Sequence, residues 1–128
     1  MGMEAADYLA HRGKRVIVIA RSGLLKKAVH ADRVYFLDRI RDLGIEVLDH
    51  TKLCEIGPDW VEVEPPGGWR RALKDVDSVV LCTGYGPRTE PCAALAALGI
   101  PVHLVGDVLG SRKFFEAIEE GTLAALNL

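Results

Sequence analysis

The chain has 128 residues, of which 49% are hydrophobic and 27% are charged, and its net charge is −2. Folding at this size should leave roughly 6,700 Å² exposed, which suits a single domain with one core. The high apolar fraction and low net charge exclude a disordered chain, and the absence of a basic excess argues against a general nucleic-acid binder. Apolar runs such as Val16–Ala20 are too short to span a membrane.

Cysteine and histidine usage indicates neither a disulfide framework nor a metal site. Cys54, Cys82 and Cys92 contain no C-x-x-C pair, and an odd number of cysteines cannot all be bridged within one chain. Reduced thiols, buried or partly buried, are typical of a cytoplasmic protein, and the N-terminus lacks the pattern of a secretory signal. The four histidines show no ligand spacing. The sequence also contains no evident catalytic nucleophile or general base.

The first part of the chain predicts alternating helices and strands. Met3–His11 carries apolar residues at helical spacing and is followed by Gly13, a typical helix cap. Val16–Ala20 is a β-branched run that predicts a strand buried on both faces. Asp32–Leu43 predicts a second helix, and Ile45–Leu48 predicts a second short buried strand. This alternation favours an α/β domain with a parallel sheet.

The pattern changes between residues 51 and 73. Turn-forming glycines and prolines separate the segments Thr51–Ile56, Trp60–Glu64 and Trp69–Leu73. Their alternating character predicts a three-stranded antiparallel meander with one packed and one solvated face. Trp60 and Trp69 flank the Pro-Gly turn and can pair across the strands, away from any ligand site.

The last third returns to alternating elements. The predicted order is a buried strand at Ser78–Cys82, a helix at Pro91–Leu98, a strand at Val102–Val105 and a helix at about Lys113–Leu126. We therefore expect residues 1–128 to form a Rossmann-like, doubly wound parallel sheet that carries an antiparallel meander. Such a domain normally opens with a strand, whereas this chain opens with a helix, so the first strand is expected to be missing.

Gly2 stands immediately before the first predicted helix. The third glycine of the G-x-G-x-x-G fingerprint occupies such a position, where it lets the helix approach its strand closely. A single glycine is a weak signal, and an arbitrary second residue is the alternative interpretation.

Three segments resemble a known family. G-M-E-A-A-D-Y-L-A-H-R-G-K-R-V-I-V-I-A-R, at 2–21, resembles the first helix and second strand of the nicotinamide-binding domain in two-dinucleotide flavoprotein reductases. D-S-V-V-L-C-T-G-Y-G-P-R, at 77–88, is similar to the segment that returns to the flavin domain. The third segment is P-V-H-L-V-G-D-V, at 101–108, with the helix after it. It resembles the end of the flavin domain in the NADH:flavin oxidoreductase family, which includes 2,4-dienoyl-CoA reductase and trimethylamine dehydrogenase. This family shares the pyridine nucleotide-disulfide oxidoreductase fold.

The resemblance implies a fragment of a larger flavoenzyme. Residues 1–84 would be the nicotinamide-dinucleotide-binding part, and 85–128 would be the tail of the flavin domain. The parent's cofactors would be NADP or NAD, together with FAD, and electrons would pass between NAD(P)H and flavin. Without the first strand, the isolated chain should bind a dinucleotide weakly or not at all. The alternative is a non-catalytic folded or dimerisation module that turns nothing over.

The resemblance also implies cofactor-binding residues. Arg21, at the end of the second strand of such a fold, suits an adenosine 2′-phosphate; the alternative is a solvated arginine in a loop. Lys26 and Lys27 are expected to be solvated, the alternative being that they add positive charge to this site. Gly84 would let the backbone pass close to the cofactor; the alternative is a simple turn glycine. Asp107 would bind the ribityl hydroxyls of the flavin; the alternative is an acid in a loop or a helix cap. The full candidate set is Gly2, Ala20, Arg21, Ser22, Thr83, Gly84, Gly106 and Asp107.

The missing strand would leave a gap between Val16–Ala20 and Ser78–Cys82. Unpaired backbone groups beside an apolar floor are costly, so another segment should fill that gap. Val102–Val105 has the required composition. We expect it to pair beside Val16–Ala20, either within the chain or exchanged between two copies in a homodimer.

Overall fold

The computed structural model describes residues 1–26 and 28–128, so the prediction for Lys27 lies outside the described residues. The chain divides into two compact units, Met1–Cys82 and Thr83–Leu128. The exposed area is 9842 Å², far above the roughly 6,700 Å² expected for this mass. That expectation is wrong because many large apolar side chains lie at the surface, including Phe114 at 79% exposure and Leu126 at 77%.

The first unit contains helices α1 and α2 and strands β1 to β5. Their bounds are α1 Gly2–His11, β1 Ile17–Ala20, α2 His30–Asp42, β2 Glu46–Asp49, β3 Lys52–Ile56, β4 Trp60–Glu64 and β5 Arg71–Lys74. Each element lies within two residues of its predicted position, which confirms the sequence prediction for residues 2–74.

Strands β1 and β2 pair in parallel. The register runs from Ile17 opposite Glu46 to Ala20 opposite Asp49. Parallel strands require a crossover connection, and α2 supplies it. The β-branched residues of β1 are half-buried rather than fully buried, because the sheet has only these two strands.

A small apolar core lies where α1 meets the sheet and α2. Its buried members are Met3, Ala6 and Ile45, and Phe36 and Ile40 of α2 are among the half-buried side chains that pack against it.

A salt bridge joins the two helices. The Arg39 Nε group donates to Asp7 Oδ1 at 2.6 Å, and this hydrogen bond raises the pKa of Arg39. The helices of the first unit are therefore held by both apolar and charged contacts.

Strands β3, β4 and β5 form the predicted antiparallel meander. Val61 and Val63 of β4 are buried, at 3% and 0% exposure, whereas Glu62 and Glu64 point to the other, partly solvated face. The alternation in the sequence is thereby confirmed. The pairing of β3 with β4 is irregular between Leu53 and Glu55.

Two predicted strands do not form. Ser78–Cys82 and Val102–Val105 have no regular secondary structure, and both segments are exposed. In the described residues β1 pairs only with β2, so the predicted pairing of Val102–Val105 with β1 within the chain is wrong. A β-branched run becomes a strand only when a neighbour accepts its backbone hydrogen bonds. The parallel sheet is therefore not doubly wound, and strand exchange between two copies stays a prediction.

The two tryptophans do not pair across the meander. Trp60 lies opposite Lys74, whereas Trp69 precedes β5 and is 87% exposed. Trp60 packs its indole over Gly57, where a Cβ atom would overlap the ring. The predicted Trp pair is wrong because the strand register, set by the turn between β4 and β5, places Trp69 outside the ladder.

The second unit contains α3 at Glu90–Ala96, a 3-10 turn at Gly106–Val108 and α4 at Phe114–Leu126. At the start of helix α4 the Lys113 amide donates to the Glu116 carboxylate at 3.2 Å, which is the glutamate half of a capping box. Its apolar side chains are largely exposed. Within the described parts of the chain, no helix combines the length and apolarity required to cross a membrane.

We expect Val63→Ala to lower the free energy of unfolding by about 2 kcal/mol, because it removes buried methyl groups and leaves a cavity. Urea denaturation followed by tryptophan fluorescence measures the change. Val80→Ala is the matched control, since Val80 is 59% exposed and its replacement should change stability by less than about 0.5 kcal/mol. Equal losses in the two variants would contradict the buried role of Val63.

Candidate functional site

The carboxyl ends of β1 and β2 lie side by side. Ala20 ends β1 opposite Asp49, which ends β2, and the Thr51 amide donates to the Ala20 carbonyl at 3.1 Å. Arg21 and Ser22 follow in an exposed bend. In open α/β sheets, ligands bind at this edge, so three of the predicted site residues stand where the fold class places a ligand.

An open cleft of about 280 Å³ lies at this edge. It is bounded by the loop after β1, the first turn of α2 and the end of β2. Its lining residues are Ser22, Gly23, Leu24, Lys26, Arg33, Asp49 and His50. Lys26 and Arg33 carry positive charge, and Ser22 supplies a hydroxyl group. An anion fits this combination of groups, because guanidinium, ammonium and hydroxyl groups all donate hydrogen bonds.

The Asp49 carboxylate is engaged by its surroundings. Its Oδ1 atom accepts the backbone N–H of Leu24 at 2.8 Å and that of His50 at 2.9 Å. Its Oδ2 atom lies 3.4 Å from His50 Nδ1. Both oxygens therefore have partners within the protein.

Sequence reasoning missed Arg33, Asp49 and His50. Arg33 lies near the start of α2, and only the crossover of the chain brings it to the loop after β1. Asp49 directly follows the predicted strand Ile45–Leu48 and ends the observed β2, a position at which polar side chains of an α/β sheet meet ligands. His50 follows Asp49 with a left-handed φ of 50°, which the sequence does not reveal.

Gly2 makes a different close approach from the one predicted. A Cβ atom on Gly2 would lie 3.2 Å from the Cβ of Cys82, so the close neighbour of the helix start is Cys82 and not β1. Cys82 is itself exposed, whereas Cys54 and Cys92 are half-buried. The expectation of a buried or partly buried thiol is therefore wrong for Cys82, because its segment is not covered by a sheet.

Thr83 and Gly84 lie in an exposed stretch without regular structure. Gly84 has a φ of 94°, a conformation that favours glycine. The structure records no neighbour within 4 Å of a Cβ atom placed on Gly84, so its predicted role beside a cofactor stays a prediction.

Gly106 and Asp107 form a turn that is tied to α4. Gly106 is buried, and a Cβ atom there would lie 3.3 Å from the Cβ of Ala117. The Gly106 N–H donates to Glu120 Oε2 at 2.7 Å, and Arg112 pairs with Glu120 Oε1 at 2.5 Å. Asp107 Oδ1 accepts the Arg112 N–H at 3.3 Å, and the predicted role of Asp107 beside a flavin stays a prediction.

These contacts change the acidity of Glu120. The hydrogen bond from the Gly106 N–H lowers the pKa of the Glu120 carboxyl, burial opposes that shift, and Arg112 adds to the lowering. Charge-assisted hydrogen bonds of this kind stabilise the ionised form.

A second cleft, of about 320 Å³, lies in the first unit between the β3–β4 turn and the segment after β5. Ile56, Val76, Val79 and Leu81 are among its lining residues, and none of the predicted site residues takes part. It contains no cation, so the smaller cleft at the carboxyl edge is the better candidate for a charged ligand.

Comparison with known proteins shows the family of this chain and its fold. Residues 1–108 match the family described as pyridine nucleotide-disulphide oxidoreductase. The chain is similar to 2-naphthoyl-CoA reductase, with 26% identity, a TM-score of 0.78 and coverage of 93% of this chain. It is also similar to 6-hydroxypseudooxynicotine amine oxidase from Pseudomonas geniculata N1, with 28% identity, a TM-score of 0.81 and 95% coverage.

Histamine dehydrogenase from Rhizobium sp. 4-9 shares the fold over 100% of this chain, with a TM-score of 0.83 and 20% identity. The chain spans 18% of the matched 2-naphthoyl-CoA reductase chain, 19% of the amine oxidase and 21% of histamine dehydrogenase. Their fold supports a Rossmann-like partial domain for this chain.

We expect the contact between Gly106 and Glu120 to weaken in acid. Because the pKa of Glu120 in the folded protein lies below its ordinary value of about 4.5, ionised Glu120 stabilises the turn above that ordinary value. The contribution is lost as the pH falls through the lowered pKa. An NMR titration of the Gly106 amide shift measures the midpoint.

Glu120→Gln keeps an acceptor at this position but does not titrate, so its Gly106 amide shift should stay constant over the same pH range. A wild-type midpoint at or above about 4.5 would contradict the assignment.

Proposed function

Because residues 1–108 match its sequence pattern, the chain belongs to the pyridine nucleotide-disulphide oxidoreductase family, and we propose that it is the nicotinamide-dinucleotide-binding segment of a larger flavoenzyme. The chain is part of an FAD/NAD(P)-binding oxidoreductase domain. In the proposed parent enzyme, electrons pass between NAD(P)H and flavin.

The observation that carries the proposal is the cationic cleft at the carboxyl edge of β1 and β2. Ser22, Lys26 and Arg33 are among its lining residues, and Arg21 adjoins Ser22 in the sequence. These donors suit the adenosine 2′-phosphate of NADP. The residues present therefore fit the phosphate-bearing end of this cofactor.

The loop after β1 offers no acid for a ribose hydroxyl, because the strand ends in Ala20 and is followed by Arg21. NAD-binding sites of this fold class use a carboxylate to accept the adenosine 2′-hydroxyl. Asp49 is the acid in the cleft, and its Oδ1 atom already accepts the backbone N–H groups of Leu24 and His50. This supports NADPH over NADH as the cofactor of the parent enzyme.

In this proposal the residues of the chain bind and orient the nicotinamide cofactor and take no covalent part in the reaction. When bound, a nicotinamide cofactor supplies the hydride chemistry itself, which needs no protein nucleophile. Lys26 and Arg33 would hold the adenosine phosphate end, while the loop at Ser22 and Gly23 would set its position. Asp107 is proposed to meet the ribityl hydroxyls of a flavin, although one of its oxygens already accepts from Arg112.

The substrate of the parent lies outside this proposal. Two of the matched proteins are named for different substrates, a naphthoyl-CoA and a hydroxylated pseudooxynicotine. Both nevertheless contain a segment similar to this chain. That contrast supports a role of the shared segment in electron transfer and not in the choice of substrate.

A second candidate is a non-catalytic module that assembles with another chain. The exposed apolar side chains of α4, among them Phe114, Phe115 and Ile118, favour it, because exposed apolar clusters mark interaction surfaces. Nucleotide binding distinguishes the two candidates, since only the first requires it.

We expect the chain to bind adenosine 2′,5′-bisphosphate more tightly than 5′-AMP, and Arg33→Gln to weaken bisphosphate binding by about tenfold. Isothermal titration calorimetry at low and high salt measures both, and added salt should reduce the preference. Arg88→Gln is the charge-matched control, because Arg88 is 86% exposed and lies in the second unit. Equal affinity for the two nucleotides would refute the cofactor assignment.

In the intact parent enzyme, we expect Arg21→Glu to abolish the preference for NADPH. A carboxylate there repels the 2′-phosphate and can accept the 2′-hydroxyl of NADH. The ratio of kcat/KM for the two cofactors measures the effect. An unchanged ratio would mean that Arg21 does not face the adenosine ribose.

A further inference from the structure

We propose that Asp49 is a positioning residue, which holds the loop after β1 in the shape that an adenosine phosphate requires. The inference rests on the proposed function and deepens it. It assigns to Asp49 neither direct contact with the cofactor nor a part in hydride transfer.

Asp49 fastens two distant parts of the chain. It ends β2, and its Oδ1 atom accepts the N–H of Leu24, which stands 25 residues earlier in the loop after β1. The side chain of Leu24 packs against the core formed by Met3, Ala6 and Ile45. Leu24 is therefore held on its backbone by Asp49 and on its side chain by apolar contact. Ser22 and Lys26, two residues away on either side, take their positions in the cleft from this anchor.

His50 adds a second contact to the same loop. Its N–H donates to Asp49 Oδ1 at 2.9 Å, and its ring nitrogen Nδ1 lies 3.4 Å from Asp49 Oδ2. The ring stands beside Gly23, where a Cβ atom would lie 3.5 Å from Nε2. Its φ of 50° lies in the left-handed region, which is uncommon for residues other than glycine, and the hydrogen bond to Asp49 stabilises the turn at this residue.

The charge of Asp49 distinguishes a positioning role from an electrostatic one. A carboxylate beside Lys26 and Arg33 weakens the attraction of the cleft for a phosphate. If charge alone mattered, removal of Asp49 would tighten phosphate binding. If Asp49 positions the loop, its removal weakens binding even though the cleft becomes more positive. The two roles therefore predict opposite signs.

The experiment compares Asp49→Ala with Asp49→Asn in the full chain. Titration with adenosine 2′,5′-bisphosphate gives the dissociation constant, and NMR measures the hydrogen exchange of the Leu24 amide. We expect Asp49→Ala to bind about tenfold more weakly and to exchange the Leu24 amide faster, because a hydrogen bond to a charged acceptor is lost. Asp49→Asn keeps an oxygen acceptor and should bind at least as tightly as the wild type, with the Leu24 amide still protected.

Glu46→Ala is the matched control. Glu46 begins the same strand that Asp49 ends, and its exposed side chain has no recorded hydrogen bond or ion pair within the described residues. The variant removes one negative charge from β2 without touching the loop. Its bisphosphate affinity should stay within about twofold of the wild type, since solvent screens a distant charge.

The outcomes separate this inference from the proposed function. A wild-type chain that prefers the bisphosphate, together with an Asp49→Ala variant that binds it equally or more tightly, overturns the positioning role alone. Unchanged exchange of the Leu24 amide in Asp49→Ala overturns it as well. A wild-type chain without any preference for the bisphosphate over 5′-AMP overturns the proposed function and this inference together.

Discussion

The parallel pairing of β1 with β2 is the constraint on which the first unit depends. A tight turn cannot join parallel strands, so the chain must cross from the end of one strand to the start of the next. Helix α2 makes that crossing, and its inner residues Phe36 and Ile40 pack against the core beside Met3 and Ala6. The same crossing brings the first turn of α2, with Arg33, to the carboxyl edge of the sheet. Packing and the candidate site thus follow from one connection.

The second unit is held by polar contacts to a greater extent than the first. Of its described residues only Gly106 is buried. Its N–H donates to Glu120 of α4, and its carbonyl accepts from Arg112, which pairs with Glu120. A glycine is required at this point because its φ is 71° and Ala117 lies close to it. The apolar side chains of α4 remain exposed, which suits a segment that matches only about a fifth of each solved relative.

The spacing of apolar residues along the sequence correctly predicted several helices and strands. The helical spacing in α1 and the V-E-V-E alternation in β4 both appear in the structure at their predicted places. Ser78–Cys82 and Val102–Val105 have equally strong strand composition and form no strand. The difference lies in the partners, because a strand satisfies its backbone groups only through a neighbour, and composition does not supply one.

The sequence by itself determined the family, the positions of the elements through residue 74 and the placement of Arg21 and Ser22 at the end of a strand. These properties depend on residues close together in the chain, where spacing and turn chemistry act directly. Only the tertiary structure decided that Arg33 joins Ser22 and Lys26 in one cleft and that Asp49 binds Leu24. Those residues meet because the crossover folds the chain back on itself, and no local pattern in the sequence specifies such a meeting.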